Sequence, residues 1–457
     1  MFRTGGKARS AQRRKVPAFA AGVVAFACMA AAPSGAAASA ESDPARPNVI
    51  VVLIDTLRKD HLGCYGYDRA TSPNIDRFAQ DALRFERAFA QAPSTKPSVA
   101  SLFTSRYPSQ HNAIHNKDAL NTEFVTLAEI LKDAGYTTAA FLENHVIIPE
   151  RYAFDQGFDV WNQSVDKPGE NQAMLAWLEA NVGERFFLYL HYLDPHTNYK
   201  APAPYQNFFD PDYTGPVKGS LKDGTTELIA TTSDPRHLEH LIAMYDDEIR
   251  WVDAKFGGFV AKLKELGLYD DSVLILLSDH GEGFMEHENL HHSYSVHGEL
   301  LNVPWIIRYP KAFGRGVSQE PVQHIDLFPT LAGLLGIDVA ALPLEGRNLL
   351  AGQGAASGIV SEHLRRSSKP NRERQRSLVL GDWKLVENLD SETEELYRIE
   401  ADPLDRVGVS DQEPEVAERL SARLAAWEAA AREAKPPTQV ELNAEIEANL
   451  RALGYLD

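Results

Sequence analysis

The sequence predicts an α/β fold, a mostly parallel central sheet sandwiched by helices, with a small C-terminal antiparallel α+β subdomain. Two observations carry that expectation. Val49–Ile54, Phe186–Leu190 and Ser272–Leu277 are nearly unbroken apolar runs rich in β-branched and aromatic residues, the pattern of strands buried on both faces. The stretches between them carry apolar residues at helical spacing, so strand and helix alternate as they do around a parallel sheet.

Taken in order, Arg46-Pro47-Asn48 leads into the first strand, which stops at Asp55. Asn74–Ala90 has helical spacing and is expected to be the first crossover helix. Pro97 suits the first turn of a helix, where its missing N–H would be unpaired anyway, and Val99–Thr104 supply an apolar face. Thr95 is then expected just before a helix start. Thr126–Ala134, Ala173–Asn181 and His237–Leu266 follow as helices. The second strand halts before His191-Tyr192-Leu193-Asp194-Pro195-His196 and the third at Ser278-Asp279-His280-Gly281-Glu282. Residues 198–235, rich in Pro, Gly and Asp, read as a long loop; Tyr199, Tyr205, Phe208, Phe209 and Tyr213 favour a substrate-contacting lid over a surface insertion. From Ser377 the pattern changes to short strands, Ser377–Leu380, Trp383–Val386 and Glu395–Tyr397, then an amphipathic helix over Glu415–Ala434.

At 457 residues and 44% hydrophobic, the chain can bury a large core. Residues 1–40 stand apart. Arg13-Arg14-Lys15, the apolar run Val16–Ala32 and Ala38-Ser39-Ala40 read as a signal peptide with its cleavage site, so a secreted or periplasmic protein is expected. An uncleaved anchor or a lipid anchor is the alternative, although Cys28 in Ala25-Phe26-Ala27-Cys28 is a poor lipidation site. No later run reaches the ~20 apolar residues of a membrane helix, so no membrane-embedded body is expected. Cys64 is left alone, without a disulfide partner. A net charge of −18 disfavours nucleic acid as a partner. The expected division is a signal peptide over 1–40, a catalytic domain over 47–375, a C-terminal subdomain over 376–435 and a tail over 436–457, of which Leu450–Asp457 reads as a docking segment.

All three strands deliver polar residues at their C-terminal ends, the edge where sites collect in open α/β sheets. At a helix start, free backbone N–H groups and the positive end of the dipole favour an anion beside Thr95, such as a phosphoryl or sulfuryl group. The plain alternative is that Thr95 or Ser98 is only a helix cap.

Thr95-Lys96-Pro97-Ser98-Val99 resembles the nucleophile loop Cys-x-Pro-Ser-Arg of the sulfatases, with Thr at the Cys that becomes formylglycine and Val at the Arg that the modification needs. Pro47-Asn48 through Asp55, His61-Leu62-Gly63-Cys64-Tyr65-Gly66, Gly135–Ala140, Tyr245–Ile249, Ser278–Glu282 and Val303–Pro310 follow in that family's order. From Asn48 to about Ala434 the chain therefore resembles the sulfatase branch of the alkaline phosphatase superfamily. The resemblance implies ester hydrolysis through the unmodified hydroxyl of Thr95.

Carried over position by position, it implies one divalent metal ion held by Asp55, Thr95, Asp279 and His280. Thr56 and His280 stand where the usual sulfatase has Asp and often Asn, which favours Mn or Zn over Ca, with Mg also open. The same ligand set is similar to that of lipoteichoic acid synthases and phosphoethanolamine transferases. His196 matches the histidine that the family places at the transferred group, and His145, in Glu143-Asn144-His145, matches the end of its Lys-x-His motif, a further catalytic candidate. Glu143 replaces a family lysine, and Lys96 is the candidate substitute for binding the anion. His292 is implied as proton donor to the leaving group, with His291 and His297 as alternatives in a dense group that includes His287. A second metal on Asp194, His196 and His292 is the mechanistic rival. The expected substrate is a small-molecule, glycan or lipid anionic ester. A phosphoethanolamine- or phosphoglycerol-type transferase and an inactive binding protein are the rival readings. A threonyl sulfate lacks the collapse to an aldehyde open to formylglycine, so phosphate or phosphonate esters are expected to turn over faster than sulfates.

Overall fold

The computed structural model describes residues 46–144, 147, 152–163, 170–220, 225–231, 234–352, 358–366, 372–430, 437–440, 444 and 447–448. The signal peptide read over 1–40, the tail Leu450–Asp457 and His145 lie outside the described residues. The principal elements are β1 (Asn48–Ile54), α1 (Pro73–Ala79), β2 (Leu83–Phe85), α2 (Thr95–Thr104), α3 (Leu127–Asp133), β3 (Thr137–Leu142), β4 (Val160–Gln163), α4 (Glu170–Ala180), β5 (Phe186–Tyr192), α5 (Pro235–Glu265), β6 (Ser272–Leu277), β7 (Trp305–Arg308) and β8 (Gly316–Ser318). The eight strands form one sheet in the order β8-β2-β7-β6-β1-β5-β3-β4. Strand β1 lies between β5 and β6, parallel to both, and β3 is parallel to β5 and β4; within this sheet only β7 opposes its neighbours.

The unbroken apolar runs do what two-sided burial requires. Val49, Val51 and Leu53 of β1 face one core with Val99, Leu102 and Phe103 of α2 and Leu127 and Leu131 of α3. Ile50, Val52 and Ile54 face the other, with Phe78 of α1, Leu178 of α4 and Ile249, Val252 and Phe256 of α5. Burying each such side chain contributes about 1.5–3 kcal/mol relative to exposure.

Local signals set the helix starts. Thr126 and Glu129 form a capping box on α3: Thr126 Oγ1 accepts from Glu129 N at 3.2 Å and the Glu129 carboxylate accepts from Thr126 N at 2.8 Å. Asp234 caps α5 by accepting from Arg236 N, and Pro235 occupies its first position. The start of α1 is capped from another helix, since the Asp253 carboxylate on α5 accepts from Asn74 N and Ile75 N. The helix expected over Asn74–Ala90 is corrected here. It ends at Ala79, and Leu83–Phe85 is a strand sandwiched between β7 and β8. The alternation in Leu83-Arg84-Phe85 is a strand signal, and pairing with two neighbours overrides the helical spacing upstream.

The C-terminal sheet comprises β9 (Ile359–His363), β10 (Gln375–Leu380), β11 (Trp383–Asn388) and β12 (Thr393–Arg398), all antiparallel. Helix α6 (Pro414–Ala430) buries Leu420 and Leu424 against it. Strand β9 was not expected. Residues 198–219 lie along α5: Tyr213 stacks on His240 with centroids 3.7 Å apart, and Tyr205 meets Trp251 at 5.3 Å. These two aromatics, expected at the substrate, meet a helix instead.

Candidate active site

Strands β1, β5 and β6 end side by side, which brings Asp55, His191, Asp279 and His280 together with at most 1% of each exposed. Asp55 Oδ2 accepts from Asn144 Nδ2 at 2.6 Å and faces His191 Nε2 at 3.3 Å. Asp279 Oδ1 accepts from the backbone N–H of Thr56 at 3.2 Å and of His280 at 3.0 Å. Thr56 holds φ at 54°, a left-handed backbone costly for a β-branched residue, and so aims its N–H at Asp279. Among the described residues, Asp55 Oδ1 and Asp279 Oδ2 are buried without a hydrogen-bond partner. His280 Nε2 lies 3.8 Å from the first and 3.5 Å from the second. Its Nδ1–H donates to the Gly281 carbonyl at 2.9 Å, which turns the Nε2 lone pair toward the two carboxylates.

Unpaired carboxylate oxygens in a buried site are costly unless a cation joins them. The electrostatics show the same tension. Burial alone would raise Asp55, but the His191 hydrogen bond and the charges of His196, His191 and His280 hold it below the ordinary carboxylate range. Asp279 is raised, by burial first and then by the charge of Asp55. Burial would lower His280, yet Asp279 and Asp55 raise it. Asp55, Asp279 and His280 are a group able to hold a metal ion, and their two carboxylate oxygens and imidazole nitrogen fit a divalent one.

Thr95 enters this group from α2. Ser94 is the extended N-cap and Thr95 is itself the first helical residue, where the sequence placed it just before the helix start. Thr95 is fully buried, and its Oγ1 lies 3.3 Å from His280 Nε2. Ser98 is no cap. Its Oγ donates to the Asp279 carbonyl at 2.7 Å and lies 3.1 Å from His324 Nδ1, tying α2 to the end of β6.

His292 sits between His291 and Ser293, both left-handed, with ring centroids 4.6 Å from His280 and 4.9 Å from His196. Its Nδ1 is 3.0 Å from Glu282 Oε1. Burial, then the like charges of His280 and His196, lower its pKa. The buried His196 donates from Nδ1 to the Thr197 carbonyl at 2.7 Å. His291 Nε2 faces Thr226 Oγ1 at 3.0 Å, and His297 stacks on His287 at 3.8 Å beside Asp405 of the C-terminal subdomain. Only His292 of these three has its ring in contact with the His280 and His196 rings among the described residues.

Lys96 differs from its expected role. Its ammonium donates to the carbonyls of Asn116 at 3.0 Å, Asp118 at 3.2 Å and His115 at 3.4 Å, and lies 3.3 Å from the Tyr152 ring centroid. Those three acceptors match its three hydrogens, so Lys96 braces the turn at His115 to Asp118. In the rival second-metal set, the Asp194 carboxylate pairs at 2.8 Å with Lys255 of α5, which also holds Glu143 at 3.0 Å.

The family model for sulfatases matches residues 47–337. This chain belongs to the sulfatase family. It is an ester hydrolase of the sulfatase superfamily. An uncharacterized sulfatase, YidJ, of Escherichia coli (strain K12) is 25% identical over 78% of this chain and 82% of its own length. An N-acetylgalactosamine-6-O-sulfatase of Bacteroides thetaiotaomicron is 25% identical over 82% of this chain and 92% of its own length. In fold, the chain is similar to the crystal structure of a phosphonate monoester hydrolase of Agrobacterium radiobacter, with a TM-score of 0.67 at 20% identity, covering 87% of this chain and 100% of that one.

Around this sulfatase-family site stand residues that sequence reasoning did not single out, Asn144 and His191 on Asp55 and Glu282 on His292, while Ser98 holds the Asp279 backbone in a role the sequence did not suggest. His191 had a signal, a lone polar residue ending an otherwise apolar strand beside one that ends in Asp. Glu282 had none, because its pairing with His292 is made across an irregular turn and its other partner, Tyr199, lies 83 positions away.

Proposed function

We propose that this chain hydrolyses phosphoric, phosphonic or sulfuric esters by attack of Thr95 Oγ1, with Asp55, Thr95, Asp279 and His280 holding one divalent cation and His292 protonating the leaving group. The observation that carries this reading is the pair of unpartnered carboxylate oxygens, Asp55 Oδ1 and Asp279 Oδ2, facing His280 Nε2 beside the Thr95 hydroxyl. Each carboxylate has one oxygen to give, because its other oxygen is engaged by Asn144 and His191 or by backbone N–H groups. Two single oxygens, an imidazole and a hydroxyl fall short of the roughly six to eight oxygens of a calcium site and suit zinc or manganese. When bound, such an ion supplies a lowered hydroxyl pKa and charge shielding on the attacked oxygens.

The chain's own residues account for the rest. Thr95 opens α2, so the anion meets the positive end of that helix. His196 borders the site, and His145 is assigned to it by its motif. The Thr95 hydroxyl releases its proton to solvent as its oxygen bonds to phosphorus or sulfur and the bond to the leaving oxygen breaks, and His292, protonated on both ring nitrogens, gives the leaving oxygen a proton and regains one from solvent. Water then attacks phosphorus or sulfur, and its proton restores the Thr95 hydroxyl. A sulfated Thr95 has no internal exit, so phosphate or phosphonate esters are the preferred substrates. The pattern of residues 1–40 assigns the mature enzyme to the periplasm or exterior.

Assay of the purified enzyme with matched aryl sulfates, phosphates and phosphonates tests the reading. It predicts higher kcat/KM for a phosphorus ester, and a sulfate preference would overturn that choice. Sulfated amino sugars belong in the same assay, since one relative is named for them.

A further inference from the structure

Glu282 follows His280 by two residues and is fully buried. Both of its carboxylate oxygens are engaged: Oε1 faces His292 Nδ1 at 3.0 Å, and Oε2 accepts from the Tyr199 hydroxyl at 3.1 Å. Oε2 already accepts from Tyr199, so the pairing of Oε1 with Nδ1 ties the ring by that nitrogen and leaves Nε2 as the nitrogen that exchanges a proton with substrate. The ring hangs from an irregular turn, with His291 at φ 69° and Ser293 at φ 63° on either side. Its rotation is set by a clamp reaching in from the end of β6.

We propose that Glu282 is the positioning residue of His292, fixing the ring rotation and tautomer in which Nε2 faces the leaving oxygen, with Tyr199 holding Glu282 in turn. The inference rests on the reading of His292 as proton donor. The donor form of His292 is protonated on both ring nitrogens: as the phosphorus–oxygen or sulfur–oxygen bond breaks, the Nε2 proton moves to the departing oxygen, and the ring stays held at Nδ1 by Glu282. Tyr199 belongs to the 198–219 segment lying along α5, so the same bond couples that cover to the catalytic histidine.

The test is kcat/KM along aryl esters of increasingly poor leaving groups, for wild type, His292→Ala, Glu282→Ala, Glu282→Gln, Tyr199→Phe and the double variant His292→Ala/Glu282→Ala. Glu282→Ala is expected to lose about tenfold or more on the poorest leaving groups and little on nitrophenyl esters, the scale of losing a partner that orients a functional histidine. It is expected to add nothing to His292→Ala, because residues acting as a unit are not additive. Glu282→Gln keeps an acceptor in place and is expected to recover most of the loss. An even loss across the series, or full additivity with His292→Ala, overturns the inference while His292 remains the donor. If His292→Ala itself shows no leaving-group dependence, the reading beneath it falls. Should Glu282→Ala not fold, Tyr199→Phe is expected to show the same leaving-group pattern at reduced size, and an even loss or none overturns the proposal.

Discussion

The hydroxyl oxygen of Thr95 lies 3.3 Å from Nε2 of His280. That contact joins the first turn of α2 to the end of β6, and the same nitrogen faces both unpartnered carboxylate oxygens. Thr95 and the group of Asp55, Asp279 and His280 are therefore one constellation, and the consequences of disturbing either are coupled.

Chelation should abolish turnover and lower thermal stability together, because a bound cation stabilises a folded state that otherwise buries two like charges. Differential scanning of metal-free and reloaded protein checks this. Reloading with zinc or manganese should restore both Tm and rate, whereas an unchanged Tm with full activity in metal-free protein would remove the metal from the account.

Lys96→Met should destabilise the fold without altering substrate affinity. It strands carbonyl acceptors of Asn116 and Asp118, and leaving buried polar groups unpaired costs about 1–3 kcal/mol. Chemical denaturation and KM for a dianionic ester measure the two effects. A tenfold rise in KM at wild-type stability would return Lys96 to the substrate.

Gly281→Ala should weaken metal binding. A Cβ there would stand 2.0 Å from the Glu299 carbonyl oxygen, so the strand end that orients His280 must shift. Overpacking of this kind costs about 1–3 kcal/mol. Wild-type metal affinity by titration, together with an unchanged Tm, would show that the backbone yields elsewhere.

Acid should strengthen one buried contact between the catalytic and C-terminal parts. Burial, then the charge of Glu299, outweighs Lys384 and pushes the Asp405 carboxyl from 3.8 up to about 6. Its folded pKa lies above its unfolded value, so its contribution is fully present below 3.8 and is lost as pH rises through about 6. One such proton gives a slope of at most about 1.4 kcal/mol per pH unit. Asp405→Asn should flatten the fall in stability across that window, and identical slopes in both proteins would contradict the assignment.

The central strands were legible because two-sided burial leaves little choice of residue: β1 and β6 begin and end within a residue of the apolar runs, and a polar residue ending such a run, as at Asp55 and Asp279, is conspicuous. Edge elements were less so. Leu83–Phe85 takes its conformation from β7 and β8, neither adjacent in sequence, so its helical surroundings misled. The partner of Lys96 was also hidden. A lysine beside a nucleophile reads as an anion binder, and only the folded turn at His115 to Asp118 shows its hydrogens already taken. The Tyr199–Glu282–His292 chain was beyond reach for the same reason, since its first link spans 83 positions.

The claim on which the rest depends is that Thr95 carries the transferred group. Rapid quench during turnover of a slow aryl phosphonate or phosphate, followed by intact-mass analysis and peptide mapping, tests it most directly. The account predicts one phosphoryl or phosphonyl adduct on Thr95, absent in Thr95→Ala, whose rate falls by several orders of magnitude while its fold survives. Turnover without any adduct, with Thr95→Ala as active as wild type, would contradict it.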